Sequence, residues 1–157
     1  MGFHRNFVVS CAIAATLAAL AVGFWASAAN GASHRNAELA SLVIHESFRR
    51  PHCSGTPSDR TGLQIEGCTE MQVLTLDKQI SNLNRNLYFD MVGGTSRRIF
   101  VASNRAWLQY RYDSCLSVAD QYGAGTVKTV MFLRCIAGVD QRHIAALEEF
   151  TTTTADS

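Results

Sequence analysis

The sequence lacks the local patterns that identify most enzymes and nucleic-acid-binding proteins. It has no nucleophile elbow with a Ser-His-Asp set, no glycine-rich phosphate loop and no metal-ligand signature. It also has no basic run interleaved with aromatic residues, which argues against a nucleic-acid partner. These absences predict a protein that is not an enzyme and that binds no cofactor.

Cysteines are few, but their number is informative. No Cys-x-x-Cys pair is present, and only His45 and His52 lie near a cysteine in sequence, so we expect no metal site. Beyond Cys11, the even number of cysteines predicts two disulfides in an oxidising compartment, with three pairings open. Pairing of sequence neighbours is the simplest of the three. The four cysteines are Cys53, Cys68, Cys115 and Cys135.

The N-terminus has the order of regions found in a secretory signal peptide. Residues 1–6 carry a histidine and an arginine, residues 7–26 form an uncharged apolar run, and small residues follow. We predict a signal over residues 1–31 that is removed, with the cleavage site open, and a periplasmic or secreted protein. The alternative is a retained membrane anchor, because the apolar run is long enough to cross a bilayer.

The charge of the chain is balanced after this leader. From Ser33 onward, thirteen Lys or Arg residues face thirteen Asp or Glu residues, so the exported part is formally neutral. Arginine outnumbers lysine eleven to two in this part. Because the guanidinium group makes fixed, directional hydrogen bonds, this bias favours structural ion pairs over loose surface charge.

Apolar residues recur at helical spacing along four segments. The first segment covers residues 36–49 and stops at Pro51, after which a loop rich in Ser, Gly and Pro begins. The second segment follows a capping-box sequence at Thr61 and Gln64 and stops at the Gly93-Gly94 pair. It is the most regular of the four.

The third segment runs from Ser96 to Tyr122 and the fourth from Thr126 to about Phe150. A Gly-containing turn separates them, so a helical hairpin would bring Cys115 and Cys135 to similar depths. The buried stripe of the third segment is predicted at Phe100, Trp107, Leu108, Cys115 and Val118.

The whole pattern predicts an all-α protein. Residues 36–150 form one domain, a small antiparallel helical bundle stapled by two disulfides. Residues 151–157 have no apolar anchor and are predicted to be a disordered tail.

Several side chains on these helices have structural interpretations. Trp107 and Tyr110 lie three positions apart and are predicted to fill core space together. Asn84 is predicted to hydrogen-bond between helices, and His143 to be solvated. Arg111 is predicted to pair with an aspartate or to cap a helix. The aspartates considered are Asp77, Asp113 and Asp140.

The order of these elements resembles the LprI-type lysozyme-inhibitor domain of exported bacterial proteins, over roughly residues 50–149. That family has two early cysteines, an Asp-x-x-Leu-Asn-x-x-Tyr segment, a Trp-x-x-Tyr/His-Arg-x-x-x-Cys motif and a last cysteine followed by an Arg-containing helix. Asn104 stands where the family pattern has Gln. The residues that stand at these elements are Cys53 and Cys68; Asp77, Ile80, Leu83, Asn84 and Tyr88; Trp107, Tyr110, Arg111 and Cys115; and Cys135 and Arg142. The second element departs from the family pattern in register, because Asp77-x-x-Ile80 does not lead directly into Leu83-Asn84.

The resemblance implies a protein that binds lysozyme, blocks its sugar-binding cleft and so protects peptidoglycan. Because many lysozymes are basic, an acidic patch is the candidate contact surface, and we place it at Glu66, Glu70 and Asp77 on the second helix. The alternative is an interaction module of the cell envelope that binds another exported protein. An exposed apolar strip would favour that alternative.

Overall fold

The computed structural model describes residues 31–48 and 52–155. The predicted signal peptide therefore lies outside the described residues, apart from Gly31. Within the described ranges, no helix is both long and apolar enough to cross a membrane. The chain divides into two compact units, one ending at Glu38 and the other beginning at Leu39. In the first unit, His34 Nδ1 lies 3.4 Å from Glu38 Oε1, one helical turn away.

The all-α prediction is confirmed. Residues 31–40 are helical (α1), and three long helices follow: α2 at Gly62–Asp90, α3 at Gly94–Ala119 and α4 at Thr126–Ala155. The described residues contain no strand. In the unit from Leu39 onward, α2 and α3 both pack against α4. Short turns join the three helices, which makes neighbours in sequence antiparallel in space.

The start of α2 follows from its sequence. Thr61 is the N-cap: its backbone N–H donates to Gln64 Oε1 at 2.8 Å, and the Gln64 N–H donates back to Thr61 Oγ1 at 3.4 Å. This is the predicted capping box, and it satisfies two backbone donors that the helix itself leaves free. At the other end, Gly93 separates α2 from α3 with a φ of 87°, a conformation that other residues rarely adopt.

The first predicted helix ends nine residues earlier than expected, at residue 40 rather than at residue 49 (which lies outside the described residues). Tertiary contacts stop it. Leu42 is buried against Tyr88 and Val101, and the Ile44 N–H donates to Ser81 Oγ at 3.0 Å instead of to a helical carbonyl. Residues 41–48 therefore form an irregular strap over the bundle.

The predicted disordered tail is wrong over residues 151–155, because α4 continues to Ala155. The Thr151 and Thr152 hydroxyls donate to the carbonyls of Glu148 and Glu149, at 2.6 and 2.8 Å. Residues 156–157 lie outside the described part. The third helix also differs slightly: it begins at Gly94 and passes into a 3₁₀ turn at Asp120–Tyr122.

The core lies between the three long helices. On α3 the buried positions include 111, 115 and 119, a row with a spacing of four. Val118 falls beside this row and is 38% exposed, so its predicted place in the buried stripe is wrong. The fully buried apolar side chains include Val73, Ile80, Leu87 and Tyr88 of α2, Cys115 and Ala119 of α3, and Leu133 and Ile136 of α4.

Both predicted disulfides are confirmed, with sequence neighbours paired. Cys53 bonds Cys68 across a Cα–Cα distance of 4.2 Å, and Cys115 bonds Cys135 across 5.4 Å. The first ties the loop before α2 to that helix, and the second ties α3 to α4. Each closed loop is worth about 3 kcal/mol by the chain-entropy argument.

The first disulfide requires a glycine beside it. Gly67 is buried in α2, and a Cβ added there would lie 2.2 Å from the backbone oxygen of His52. Because this neighbour is main chain, it cannot rotate away as a side chain would. The missing Cβ lets the chain around Cys53 approach the helix closely enough to reach Cys68.

We expect Gly67→Ala to lower the free energy of unfolding by about 1–3 kcal/mol through this clash, although alanine is the better helix former. Urea denaturation measures the change. The matched control is Gly138→Ala in α4, where the new Cβ would meet only Arg142 Nη1 at 3.7 Å. That variant should gain up to about 1 kcal/mol from helix propensity. Equal stability of the two variants would show that the close approach does not constrain the fold.

Candidate functional site

One arginine lies at the centre of the bundle. Arg111 of α3 is only 2% exposed. Its Nη2 lies 2.9 Å from Asp77 Oδ1 of α2, and its Nε lies 3.0 Å from Asp140 Oδ1 of α4. The strap adds Glu46, whose Oε1 lies 3.6 Å from Nη2. We call these four residues the Arg111 cluster. Of the three aspartates considered as partners of Arg111, it contains Asp77 and Asp140, whereas Asp113 accepts a hydrogen bond from Gln109.

Helical spacing places the cluster. On α3, Trp107, Arg111 and Cys115 lie at intervals of four, so all three point to one face. The Cys115–Cys135 disulfide therefore fixes α3 to α4 one turn from Arg111. Each long helix thus contributes one charged side chain to a buried row that is otherwise mostly apolar.

A second polar contact lies two turns away. Asn84 Nδ2 of α2 donates to Asn104 Oδ1 of α3 at 2.8 Å, and both side chains are buried. The predicted interhelical role of Asn84 is confirmed. Asn84 lies seven residues after Asp77, whereas Asn104 lies seven residues before Arg111. This reversed order is what two antiparallel helices require.

His143 is not solvated, contrary to the prediction. Its ring stacks on Trp107 with centroids 3.7 Å apart and an interplanar angle of 13°. The Arg111 guanidinium carbon lies 5.7 Å from the Trp107 ring centre. His143 Nε2 is buried and has no hydrogen-bond partner among the described residues. Only the packing of α3 on α4 brings these rings together, so sequence spacing does not reveal the stack.

The remaining motif residues are spread over the molecule. Tyr88 is buried, and the Arg97 guanidinium carbon lies 5.3 Å from its ring centre. Arg142 is exposed on α4. Tyr110 is 62% exposed, so the prediction that it fills the core with Trp107 is wrong. It lies outside the row of buried positions that passes from Trp107 to Arg111.

The acidic patch proposed from the sequence does not form as one surface. Asp77 is 3% exposed and bound to Arg111, whereas Glu66 and Glu70 are partly exposed. Partial burial, and then the negative charge of Glu66, raise the pKa of Glu70. The sequence points to Glu66, Glu70 and Asp77 but not to Glu46, because it predicts a helix where the structure has the strap.

Two carboxyl groups of the Arg111 cluster have shifted pKa values. Burial raises the pKa of Asp77 to about 6 and that of Asp140 to about 7, although Arg111 opposes both shifts. Burial and the Arg111 charge lower the pKa of His143 to about 4. Such shifts also mark catalytic acids. Here, however, the Asp77 and Asp140 side chains are buried, at 3% and 0% exposed.

Two further features bear on ligands. In the part of the chain that the structure describes, no three His, Cys, Asp or Glu side chains are grouped as metal ligands. An apolar groove of about 600 Å³ lies where α2 ends and α3 begins, near the end of α4. Its walls include Met91, Val92, Ile99, Phe100 and Phe150, and Val92 is 91% exposed.

Replacing Arg111 by methionine should lower the free energy of unfolding by about 3–5 kcal/mol, because two buried carboxylates lose their partner. Thermal and urea unfolding measure the loss. Arg105→Met removes an exposed arginine from the same helix and should change stability by less than about 0.5 kcal/mol. If the two variants were equally stable, the buried pairs would not hold the bundle together.

Asp140→Asn should become more stable relative to wild type as the pH rises from about 5 to about 8. The pKa of Asp140 is raised from 3.8 to about 7, so its contribution is complete below pH 3.8 and lost as the pH rises through 7. The amide has no proton to lose. His143 acts in the opposite direction: its lowered pKa gives stability that is present above pH 6.5 and lost as the pH falls through about 4. Because both proteins contain His143, its titration is common to both, and the difference between them reports the loss of the Asp140 carboxyl. A pH-independent difference would contradict the raised pKa.

The comparison with known proteins agrees with this arrangement. The sequence model of the LprI lysozyme inhibitor family matches residues 53–147, which is more than half of the chain. The matched range holds both disulfides and the three buried members of the Arg111 cluster. No curated protein and no solved structure matches the chain. The chain therefore belongs to the LprI lysozyme inhibitor family.

Proposed function

We propose that this protein is an exported inhibitor that binds lysozyme and thereby protects peptidoglycan in the periplasm or outside the cell. The observation that carries the proposal is the family match over residues 53–147. The sequence of the leader supports export, and the two disulfides suit an oxidising compartment.

The fold supplies a physical reason for tight binding. The two disulfides, the capping box of α2 and the buried Arg111 pairs restrain the bundle before any partner arrives. A partner that docks on a restrained surface has little conformational entropy to remove, so more of the contact energy is retained as affinity. Inhibition by occlusion of the lysozyme cleft requires no catalytic group on the inhibitor.

A second function rests on the apolar groove. Val92, Ile99 and Phe150 are 91%, 62% and 48% exposed at one end of the bundle. Contiguous exposed apolar surface commonly marks a protein contact. This favours, as the alternative, a cell-envelope interaction module that binds another exported protein and does not inhibit lysozyme.

Lysis of a peptidoglycan suspension separates the two functions. For the inhibitor, we expect the oxidised protein to slow lysis by hen egg-white lysozyme in proportion to its concentration, and to reach a plateau near equimolar amounts. Reduced and alkylated protein is the matched control and should slow lysis much less, because it lacks both disulfides.

The same assay with lysozymes of other structural types shows which types of lysozyme the protein inhibits. If folded, oxidised protein slowed none of them, the inhibitor proposal would be wrong and the envelope module would take its place. Circular dichroism on the same sample establishes that it is folded.

A further inference from the structure

A pocket separate from the apolar groove lies beside the Arg111 cluster. Residues 43–46 of the strap form one wall, Leu108, Arg111 and Tyr112 of α3 form another, and Ile136 of α4 completes it. Its volume is about 350 Å³, within the range of small ligand sites. We call it the Glu46 pocket, after the only carboxylate among the described residues that line it.

Among the described residues, carboxylates outnumber guanidinium groups at this pocket. Arg111 is already bound by Asp77 at 2.9 Å and by Asp140 at 3.0 Å, and Glu46 stands farther away at 3.6 Å. Three carboxylates thus share one guanidinium. Unlike the two buried aspartates, the Glu46 side chain is 40% exposed, so a partner can reach it.

Buried atoms without a hydrogen-bond partner occur on both sides of the Arg111 pairs, and Arg111 Nη1 is one of them. Asp77 Oδ2 and Asp140 Oδ2 are both buried, and neither has a hydrogen-bond partner among the described residues. Burial raises the pKa of both carboxyls, Arg111 opposes the shift, and the negative charge of Glu46 adds to it. A positive charge brought to Glu46 from outside would relieve the same excess.

The walls define the rest of the ligand. Val43, Leu108 and Ile136 present apolar side chains, and the Tyr112 ring, 52% exposed, is held edge-on against Phe132 with centroids 5.6 Å apart. A lysine or arginine side chain has both parts that fit: an apolar stem for the walls and a charged end for Glu46. Tyr112 adds an aromatic ring that attracts cations.

We propose that the Glu46 pocket receives a basic side chain of the lysozyme, with Glu46 as the carboxylate that pairs with it. The proposal rests on the proposed function, because lysozymes are commonly basic proteins. It gives a formally neutral inhibitor a local means of binding a positive partner. It also moves the contact surface from the Glu66–Glu70 pair of α2 to the strap and α3.

Isothermal titration calorimetry of hen egg-white lysozyme binding to the protein, at low ionic strength, tests the pocket directly. Glu46→Gln removes the charge but keeps the size of the side chain, and we expect it to weaken binding by about tenfold. Glu46→Asp keeps the carboxylate and should retain most of the affinity. Unfolding curves of both variants show whether the strap remains in place.

Two controls separate this site from general attraction between charges. Glu148→Gln neutralises an exposed carboxylate of α4 that accepts a hydrogen bond from Gln79, and it should change the affinity by less than about twofold. The double variant Glu66→Gln, Glu70→Gln should behave likewise. Equal weakening by all of these variants, or weakening by the double variant alone, would overturn the pocket.

Failure of the pocket and failure of the inhibitor function give different results. If wild type slows lysis and Glu46→Gln binds lysozyme as tightly as wild type, the pocket is wrong and the function stands. If binding depends on Glu46 but lysis proceeds unchanged, the pocket stands and the inhibitory function is wrong. If wild type neither binds lysozyme nor slows lysis, both are wrong.

Discussion

The burial of one guanidinium between two carboxylates constrains three helices together. A charge of this kind is stable away from water only when oppositely charged partners lie close beside it. Asp77, Arg111 and Asp140 come from α2, α3 and α4, so a helix that shifted along its axis would leave a buried charge unpaired. The pairs therefore fix the register of the bundle, in the manner of polar residues that set the register of coiled coils.

The other constraints are arranged around this one. The Cys115–Cys135 disulfide lies one turn from Arg111 along α3, and the Asn84–Asn104 hydrogen bond lies two turns away in the opposite direction. Along α3, Trp107 lies between Asn104 and Arg111, and its ring stacks on His143. A covalent bond, a neutral hydrogen bond and a ring stack thus hold α3 on both sides of its buried charge.

The cluster also links the fold to the surface. Leu42 anchors the strap in the core, the Ile44 N–H binds Ser81, and Glu46 reaches Arg111 from the solvent side. The strap thus covers the buried charges and at the same time exposes one carboxylate of the set. A surface built in this way can present charge to a partner on a backbone that is already fixed.

Local sequence signals predicted the features that depend on near neighbours. The capping box of Thr61 and Gln64 and the extents of α2 and α3 to within a few residues follow from spacing. The pairing of neighbouring cysteines is the simplest of the three that the sequence leaves open. The aspartate partners of Arg111 were also among those expected. Each of these signals is short in range or repeats with the helical period.

The features that sequence did not predict arise from tertiary contacts. The first helix stops at residue 40 because Leu42 and Ile44 bind α2, which its own periodicity cannot show. His143 is stacked only because α3 crosses α4 at Trp107. Tyr110 and Arg111 are adjacent in sequence and lie on different rows of side chains along α3. The row that contains Arg111 faces the core, although arginine is charged, and Tyr110 is therefore exposed. The sequence does not single out Glu46 for the same reason: it predicts a helix over the residues that form the strap.

Amide hydrogen exchange of the oxidised protein, with and without equimolar hen egg-white lysozyme, tests most directly whether a bundle fixed by Arg111 presents the Glu46 pocket to lysozyme. We expect new protection in residues 43–46 and around residues 108–112, with little change in the first turns of α2. Protection confined to the apolar groove or to the Glu66–Glu70 turn, or no protection anywhere, would contradict it.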